Sequence, residues 1–160
     1  MKESLFGSIQ FDVADSECLD LFAGSGNLGI EAISRGAAHT FFVDHDRRCT
    51  QLIASNLKLV GFSNRATVLL SEAASALDRF AREGRRFDIV FLDPPYALGL
   101  IPDILNTLVG SRLLREHAIV VAEHSADTEF TVTDAFTVQT HKRFHDTAIT
   151  ILRAREARHE

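Results

Sequence analysis

The residues best suited to chemistry lie in the sequence LDPPY, at positions 92–96, where a buried apolar strand is predicted to end. Asp93 supplies carboxylate oxygens, and Pro94 supplies a main-chain carbonyl, held rigidly because the rings of Pro94 and Pro95 fix φ at about −65°. Tyr96 supplies a flat face on which a flipped-out base can stack. These groups suit an exocyclic amine of a base, whose delocalised lone pair becomes nucleophilic once acceptors hold its protons. The motif indicates group transfer to such an amine; the alternative is a rigid turn that only ends the strand.

A glycine-rich turn follows the first predicted strand and precedes a predicted helix. Gly24, Gly26 and Gly29 give the pattern G-x-G-x-x-G. Small residues there let the backbone turn tightly and let a ligand approach the helix N-terminus. Asp44 ends the next strand, 20 residues after Gly24, and a carboxylate there can accept both hydroxyl protons of a ribose. The pattern predicts a site for an adenosine-containing ligand, with a plain turn and helix cap as the alternative.

The identity of that ligand depends on Asp20, which lies four residues before Gly24 at the end of the first strand. A carboxylate there repels the pyrophosphate of a dinucleotide and attracts the ammonium and sulfonium groups of S-adenosylmethionine. Opposite unit charges at about 4 Å attract by roughly 4 kcal/mol at an effective dielectric of about 20, before desolvation is subtracted. Asp20 therefore favours S-adenosylmethionine. The alternatives are a turn role for Asp20 and a dinucleotide-binding protein, from a different functional class.

Two further residues are candidates for contact with an adenine ring. Glu72 directly follows the third predicted strand, where its carboxylate can accept a hydrogen bond from the adenine amine or act only as a partner of the helix dipole. His45 lies beside Asp44. Its ring either packs on the adenine face or belongs to a solvated loop.

The elements that must position these residues alternate along the chain. Strands are predicted over residues 17–22, 39–44, 67–70, 87–93 and 118–123, and helices over residues 2–9, 28–35, 46–60, 73–82 and 100–109. Nearly all-apolar strands alternating with amphipathic helices indicate an α/β fold whose parallel sheet is covered by helices on both faces. Residues 136–140 and 147–152 predict a hairpin around HKRFHD, so that the sheet ends with an antiparallel strand. Ligands of such sheets bind beyond the carboxyl ends of the strands, where the glycine turn and LDPPY both lie.

Composition limits the functional classes. The chain has 160 residues with 46% hydrophobic and 24% charged residues, which is typical of one globular domain. A net charge of −5 argues against a purely nucleic-acid-binding module. Cys18 and Cys49 are the only cysteines, which argues against a disulfide scaffold or zinc site. No apolar run reaches the roughly 18 residues of a membrane span. We expect a cytoplasmic protein without metal or membrane partner.

Several stretches, DLFAGSGNLGIEAISRGA, VDHD, LDPPY and KRFHDTAITILR, resemble the bacterial 16S rRNA guanine-N2 methyltransferase family known as RsmD. The likeness runs from about residue 2 to residue 153. It implies a Rossmann-like class I S-adenosylmethionine-dependent methyltransferase with a seven-stranded sheet of order 3-2-1-4-5-7-6, strand 7 being antiparallel. It also implies one domain over residues 1–160, with a leading helix at 2–10, a core at 17–153 and a charged tail at 154–160.

The resemblance implies specific site residues. The target amine would be held by Asp93, Pro94, Pro95 and Tyr96. The predicted cofactor-binding residues are Asp20, Phe22, Ala23, Gly24, Ser25, Gly26, Gly29, Asp44, His45, Glu72 and Ala73. We expect a monomer that methylates a guanine of 16S rRNA in a partly assembled small ribosomal subunit. Other amines, such as adenine N6, are the alternative acceptors for the same fold.

Two departures from the family pattern bear on how the RNA substrate is bound rather than on the methyl-transfer chemistry. Family members usually begin with a glycine-rich, basic segment that helps engage RNA, and this sequence begins at the helix that follows it. Either that segment is missing from this sequence or RNA is engaged differently. His145 stands where the final hairpin usually carries glycine, which predicts a reshaped turn. Basic residues expected near the site are Lys2, Lys142 and Arg143, whereas solvated positions are expected for Arg47, Arg48, Arg85, Arg86, Arg112 and Arg115.

Overall fold

The computed structural model describes residues 2–95, 99–127 and 132–155. Its strands are β1 (Glu17–Asp20), β2 (His39–Asp44), β3 (Ala66–Leu70), β4 (Phe87–Leu92), β5 (Leu114–Ser125), β6 (Phe136–Phe144) and β7 (Thr147–Ala154). Its helices are α1 (Lys2–Ser8), α2 (Gln10–Val13), α3 (Asn27–Ser34), α4 (Arg47–Val60), α5 (Ala73–Arg82) and α6 (Leu100–Gly110), with a 3-10 turn at Ser63–Arg65. Within these ranges no helix is long and apolar enough to cross a membrane.

The strands form one seven-stranded sheet in the order β3-β2-β1-β4-β5-β7-β6. Neighbouring strands from β3 to β5 pair in parallel, and β7 pairs antiparallel with both β5 and β6. The predicted strand order and antiparallel strand are confirmed. The order reverses between β1 and β4, which is where a ligand crevice is expected.

Alternate residues of the central strands face opposite layers of helices. In β4, Val90 and Leu92 belong to the core cluster that packs on α5 and α6. Ile89 and Phe91 belong to the cluster that packs on α1, α2 and α3, where the rings of Phe6 and Phe91 lie 6.0 Å apart. A strand buried on both faces needs apolar residues at every position. This explains why the β4 sequence is a continuous apolar run interrupted only by Asp88.

Gly29 is the point at which α3 packs closest to the sheet. A Cβ placed on it would lie 2.8 Å from Cζ of Phe42 and 3.0 Å from Cγ2 of Thr40. We expect Gly29→Ala to lower the free energy of unfolding by about 1–3 kcal/mol, because these neighbours belong to packed strand β2. Urea unfolding midpoints measure the effect.

The matched control is Gly110→Ala, at the end of α6, where an added Cβ meets nothing within 4 Å. Alanine there is expected to be neutral or stabilising by up to about 1 kcal/mol. Equal midpoints for the two variants would show that α3 can shift away from β2 at little cost.

Several predicted boundaries were wrong. The leading helix ends at Ser8, and α2 follows as a separate short helix. Strand β5 begins at Leu114 rather than at residue 118. Its pairing with β4 shifts register between Phe87 and Ile89, so that Leu114 pairs with Phe87 and the exposed residues 115–117 become part of the strand. Ala154, predicted to begin the tail, is the last residue of β7; residues 156–160 lie outside the described ranges.

The final hairpin is tighter than predicted. Strand β6 continues to Phe144, so that only His145 and Asp146 connect it to β7. His145 has φ +56°, in the region that glycine adopts most easily. The turn therefore keeps a glycine-type backbone although a histidine occupies it.

Candidate active site

A cavity of about 450 Å³ opens at the carboxyl ends of β1, β4 and β5. Helix α1 and strand β7 supply parts of its wall. Its lining residues are Lys2, Leu5, Asp20, Phe22, Ala23, Gly24, Ser25, Asn27, Leu28, Asp93, Val121, Glu123 and Ile149. The structure thus brings together, on one cavity, six of the residues predicted from the sequence: Asp20, Phe22, Ala23, Gly24, Ser25 and Asp93.

Asp20 is a buried carboxyl group in the wall of this cavity. Only 3% of the residue is exposed, and its Oδ2 accepts a hydrogen bond from the Gly29 N–H at 3.1 Å. Burial, with the charges of Asp93 and Asp44, raises the pKa of Asp20 to about 7. No ion pair within the described ranges involves Asp20. A buried carboxylate without a cation is unfavourable, so the wall is complementary to a positively charged ligand.

The glycine turn has open space beside Gly24 and is held in place by hydrogen bonds to Asp44. Gly24 has φ +57° and Gly26 has φ +83°, and a Cβ on Gly24 would meet nothing within 4 Å. The Gly24 N–H donates to Oδ2 of Asp44 at 3.0 Å, and the Asp46 N–H donates to Oδ1 at 2.9 Å. Asp44 therefore ties the turn to the end of β2 while retaining unused oxygen lone pairs.

The predicted adenine contacts do not line this cavity. Glu72 is the N-cap residue of α5 with an exposed side chain, and Ala73 packs on the core cluster beneath α5. His45 has 65% of its side chain exposed, with Nδ1 3.8 Å from Oδ1 of Asp44. His45 follows β2, and Glu72 and Ala73 follow β3, whereas the cavity lies at the ends of β1, β4 and β5.

The turn after β4 carries the second carboxyl group of the cavity. Pro94 is buried and Pro95 is exposed, while Tyr96 lies outside the described residues. Partial burial raises the pKa of Asp93. Burial, the charge of Asp93 and a hydrogen bond between the two carboxyl groups raise the pKa of Glu123.

Glu123 was missed by the prediction from sequence. Its signal was present, because the strand predicted over residues 118–123 ends in an acid, as do those predicted over residues 39–44 and 87–93. The wall contributed by Leu5 of α1 and by Asn27 of α3 was also missed. Asn27 lies within the glycine turn, whereas Leu5 reaches the cavity through packing of α1 against segments distant in sequence, which no local pattern predicts.

The basic residues expected near the site lie on α1 and β6. Lys2 lines the cavity, and Nζ of Lys142 donates to Oγ of Ser4 at 3.2 Å. Arg143 lies 3.6 Å from the carboxylate of Asp127. Three of the arginines expected at solvated positions form salt bridges: Arg48 with Asp46, Arg85 with Glu83, and Arg115 with Asp88.

The site fits S-adenosylmethionine better than a dinucleotide. The buried, cation-free carboxyl of Asp20 and the open Gly24 turn suit a ligand with ammonium and sulfonium charges, whereas three carboxyl groups around one cavity would repel a pyrophosphate. Across the described part of the chain, no group of three or more His, Cys, Asp or Glu side chains is arranged to hold a metal ion.

Solved structures share this fold. A conserved hypothetical protein from Streptococcus pyogenes is 32% identical with a TM-score of 0.90, over 100% of this chain and 98% of that chain. An RNA methyltransferase from Salinibacter ruber in complex with S-adenosyl-L-homocysteine is 14% identical with a TM-score of 0.70, over 100% and 95% of the chains. The sheet order and these structures define the fold as that of the class I S-adenosylmethionine-dependent methyltransferases.

The family follows from the sequence comparisons. A family model described as Conserved hypothetical protein 95 matches residues 1–153, and the chain belongs to this family, which confirms the predicted membership. A relative from Escherichia coli strain K12, Ribosomal RNA small subunit methyltransferase D, is 37% identical over 127 residues. The match covers 79% of this chain and 62% of that relative, so the chain spans less than two thirds of the relative's length.

Proposed function

We propose that this protein transfers a methyl group from S-adenosylmethionine to the exocyclic N2 amine of a guanine in 16S rRNA. The observation that carries the proposal is that the buried carboxyl of Asp20 and the carboxyl of Asp93, the first residue of the turn after β4, line the same cavity. One side of that cavity suits a cationic methyl donor, and the other suits an amine. The name of the Escherichia coli relative supports small-subunit rRNA as the substrate. The proposal places the reaction in the cytoplasm, on partly assembled small subunits.

The cofactor would lie along the ends of β1, β2 and β3. Asp20 and the turn from Gly24 to Gly29 would hold its methionine part, Asp44 would accept the ribose hydroxyl protons, and Glu72 with Ala73 would lie at the adenine. The bound cofactor supplies a methyl group already activated by its sulfonium sulfur. The protein therefore needs to contribute mainly position and electrostatic stabilisation.

The substrate amine would lie between Asp93 and the main-chain carbonyl of Pro94. Both accept amine protons and draw the nitrogen toward tetrahedral geometry, while the two prolines hold the carbonyl still. The amine nitrogen attacks the methyl carbon, and the carbon–sulfur bond breaks with its electron pair left on sulfur. One amine proton then passes to the Asp93 carboxylate and on to water, leaving N2-methylguanine.

The experiment is methyl transfer to small ribosomal subunits from a bacterial strain lacking this methylation. With labelled cofactor, we expect label in 16S rRNA and, after digestion, mass spectrometry should identify N2-methylguanosine. N6-methyladenosine would instead support the alternative acceptor of the same fold. Cofactor binding without transfer to naked rRNA, mature subunits or assembly intermediates would contradict the proposal.

A further inference from the structure

Glu123 and Asp93 are neighbours across the sheet at the mouth of the cavity. In the parallel pairing of β4 and β5, Leu92 lies opposite Ala122, so the next residues of the two strands, Asp93 and Glu123, come side by side. Both line the cavity. On its other side Glu123 lies opposite Ile149 of β7, an apolar residue that offers the carboxyl group no side-chain partner.

This juxtaposition is unfavourable in the protein alone when both carboxyl groups are ionised. The two carboxyl groups contact each other, and burial followed by the Asp93 charge raises the pKa of Glu123. Among the residues that the structure describes, Glu123 takes part in no ion pair, and Lys2 is the one cationic residue among those lining the cavity. Adjacent carboxylates repel unless a proton or another donor lies between them. The pair is therefore matched to a ligand that presents two adjacent hydrogen-bond donors.

We propose that Glu123 selects the base: its carboxylate accepts the N1–H of guanine while Asp93 accepts a proton of the neighbouring N2 amine. The inference rests on the proposed function and names the residue that sets its substrate class. Guanine carries N1–H and N2–H₂ side by side on its Watson–Crick edge, the edge by which flipped bases are read. Adenine presents a lone pair at N1, which would point at a carboxylate oxygen and leave both unsatisfied.

The test uses an acceptor that keeps the 2-amino group and replaces the N1–H of guanine by a lone pair. RNA carrying 2-aminopurine at the methylated guanine retains the 2-amino group but has a lone pair at N1 and no oxygen at position 6. At about pH 8 we expect wild-type protein to methylate it with a kcat/KM about 10- to 100-fold below that for guanine. In Glu123→Gln, whose amide N–H can donate to that lone pair, guanine methylation falls and the preference shrinks to near one or reverses.

Glu116→Gln is the matched control, because Glu116 is exposed on the same strand at its opposite end; its preference should equal that of wild type. A wild-type preference near one overturns the inference, whatever the variants do. An unchanged preference in Glu123→Gln also overturns it, since a merely structural glutamate would alter both substrates equally. Absence of methyl transfer to guanine by wild-type protein would instead count against the proposed function itself.

Discussion

Asp93→Ala is expected to lower the rate of methyl transfer by about 100- to 1,000-fold, the usual cost of removing one preorganised group that stabilises a transition state. The amine is a weak nucleophile until its protons are held, and Asp93 is the carboxylate at the end of β4 that would hold them. Cofactor affinity should change little, because the proposed contacts to that ligand are made by Asp20 and the glycine turn. Single-turnover transfer rates and calorimetric titration with S-adenosylmethionine measure the two quantities separately.

Asp78→Ala is a suitable control for the loss of one negative charge. Asp78 lies on α5 with 72% of its side chain exposed and pairs with Arg82, so its removal should leave the transfer rate unchanged. If Asp93→Ala lost cofactor binding together with turnover, the residue would act on the shape of the turn rather than on the amine.

Asp20→Asn is expected to have opposite effects on binding and on stability. Cofactor affinity should fall by about 100-fold or more, because the positively charged ligand loses its buried counter-charge. The unliganded protein, however, should become more stable at about pH 8. The asparagine Oδ1 still accepts the Gly29 N–H, and a costly buried charge is removed.

The sign follows from the pKa of Asp20, which burial and the charges of Asp93 and Asp44 raise from 3.8 to about 7. Because the folded protein holds this proton more tightly than the unfolded chain, the stability from Asp20 is complete below about pH 4 and is lost as the pH rises toward 7. The free energy of unfolding falls by up to about 4 kcal/mol, because each unit by which the folded pKa exceeds the unfolded one corresponds to about 1.4 kcal/mol.

Thermal unfolding without cofactor, at about pH 4 and about pH 8, provides the measurement and its internal control. Wild type and Asp20→Asn should unfold at similar temperatures at the lower pH, where Asp20 is protonated, and the variant should be the more stable at the higher pH. A variant less stable at both values would mean that Asp20 is ionised and stabilised by the protein itself.

Helices and strands whose limits follow from local hydrophobic patterns could be predicted from the sequence. Strand β2 and helix α5 have the predicted limits, His39–Asp44 and Ala73–Arg82, because an apolar run or an amphipathic stretch is bounded by polar residues at both ends. The acids at these strand ends were predicted for the same reason: Asp20 and Asp44 end β1 and β2, and Asp93 follows β4. Their roles toward ligands stay predictions.

Elements that depend on distant pairing were not predicted fully. The start of β5 depends on a register shift against β4, accompanied by a positive φ of +62° at His117, and neither leaves a local signal. The length of β6 depends on its pairing with β7. Residues 141–144 do not alternate between apolar and polar, so the sequence pattern did not predict that the strand continues to Phe144. Glu123 was overlooked because an acid at the end of an apolar run is a weak signal by itself, and the pairing of β4 with β5 is what places it beside Asp93.

The position of α1 has a practical consequence for work with the purified protein. Lys2 lines the cavity, so an affinity tag fused ahead of α1 would lie beside the cavity that, under the proposed function, admits RNA. Strand β7 starts opposite Ser125, at the cavity end of β5, and runs away from it to Ala154. Ala154 therefore lies at the end of the strands opposite the cavity, and enzymatic assays should use a tag attached beyond β7.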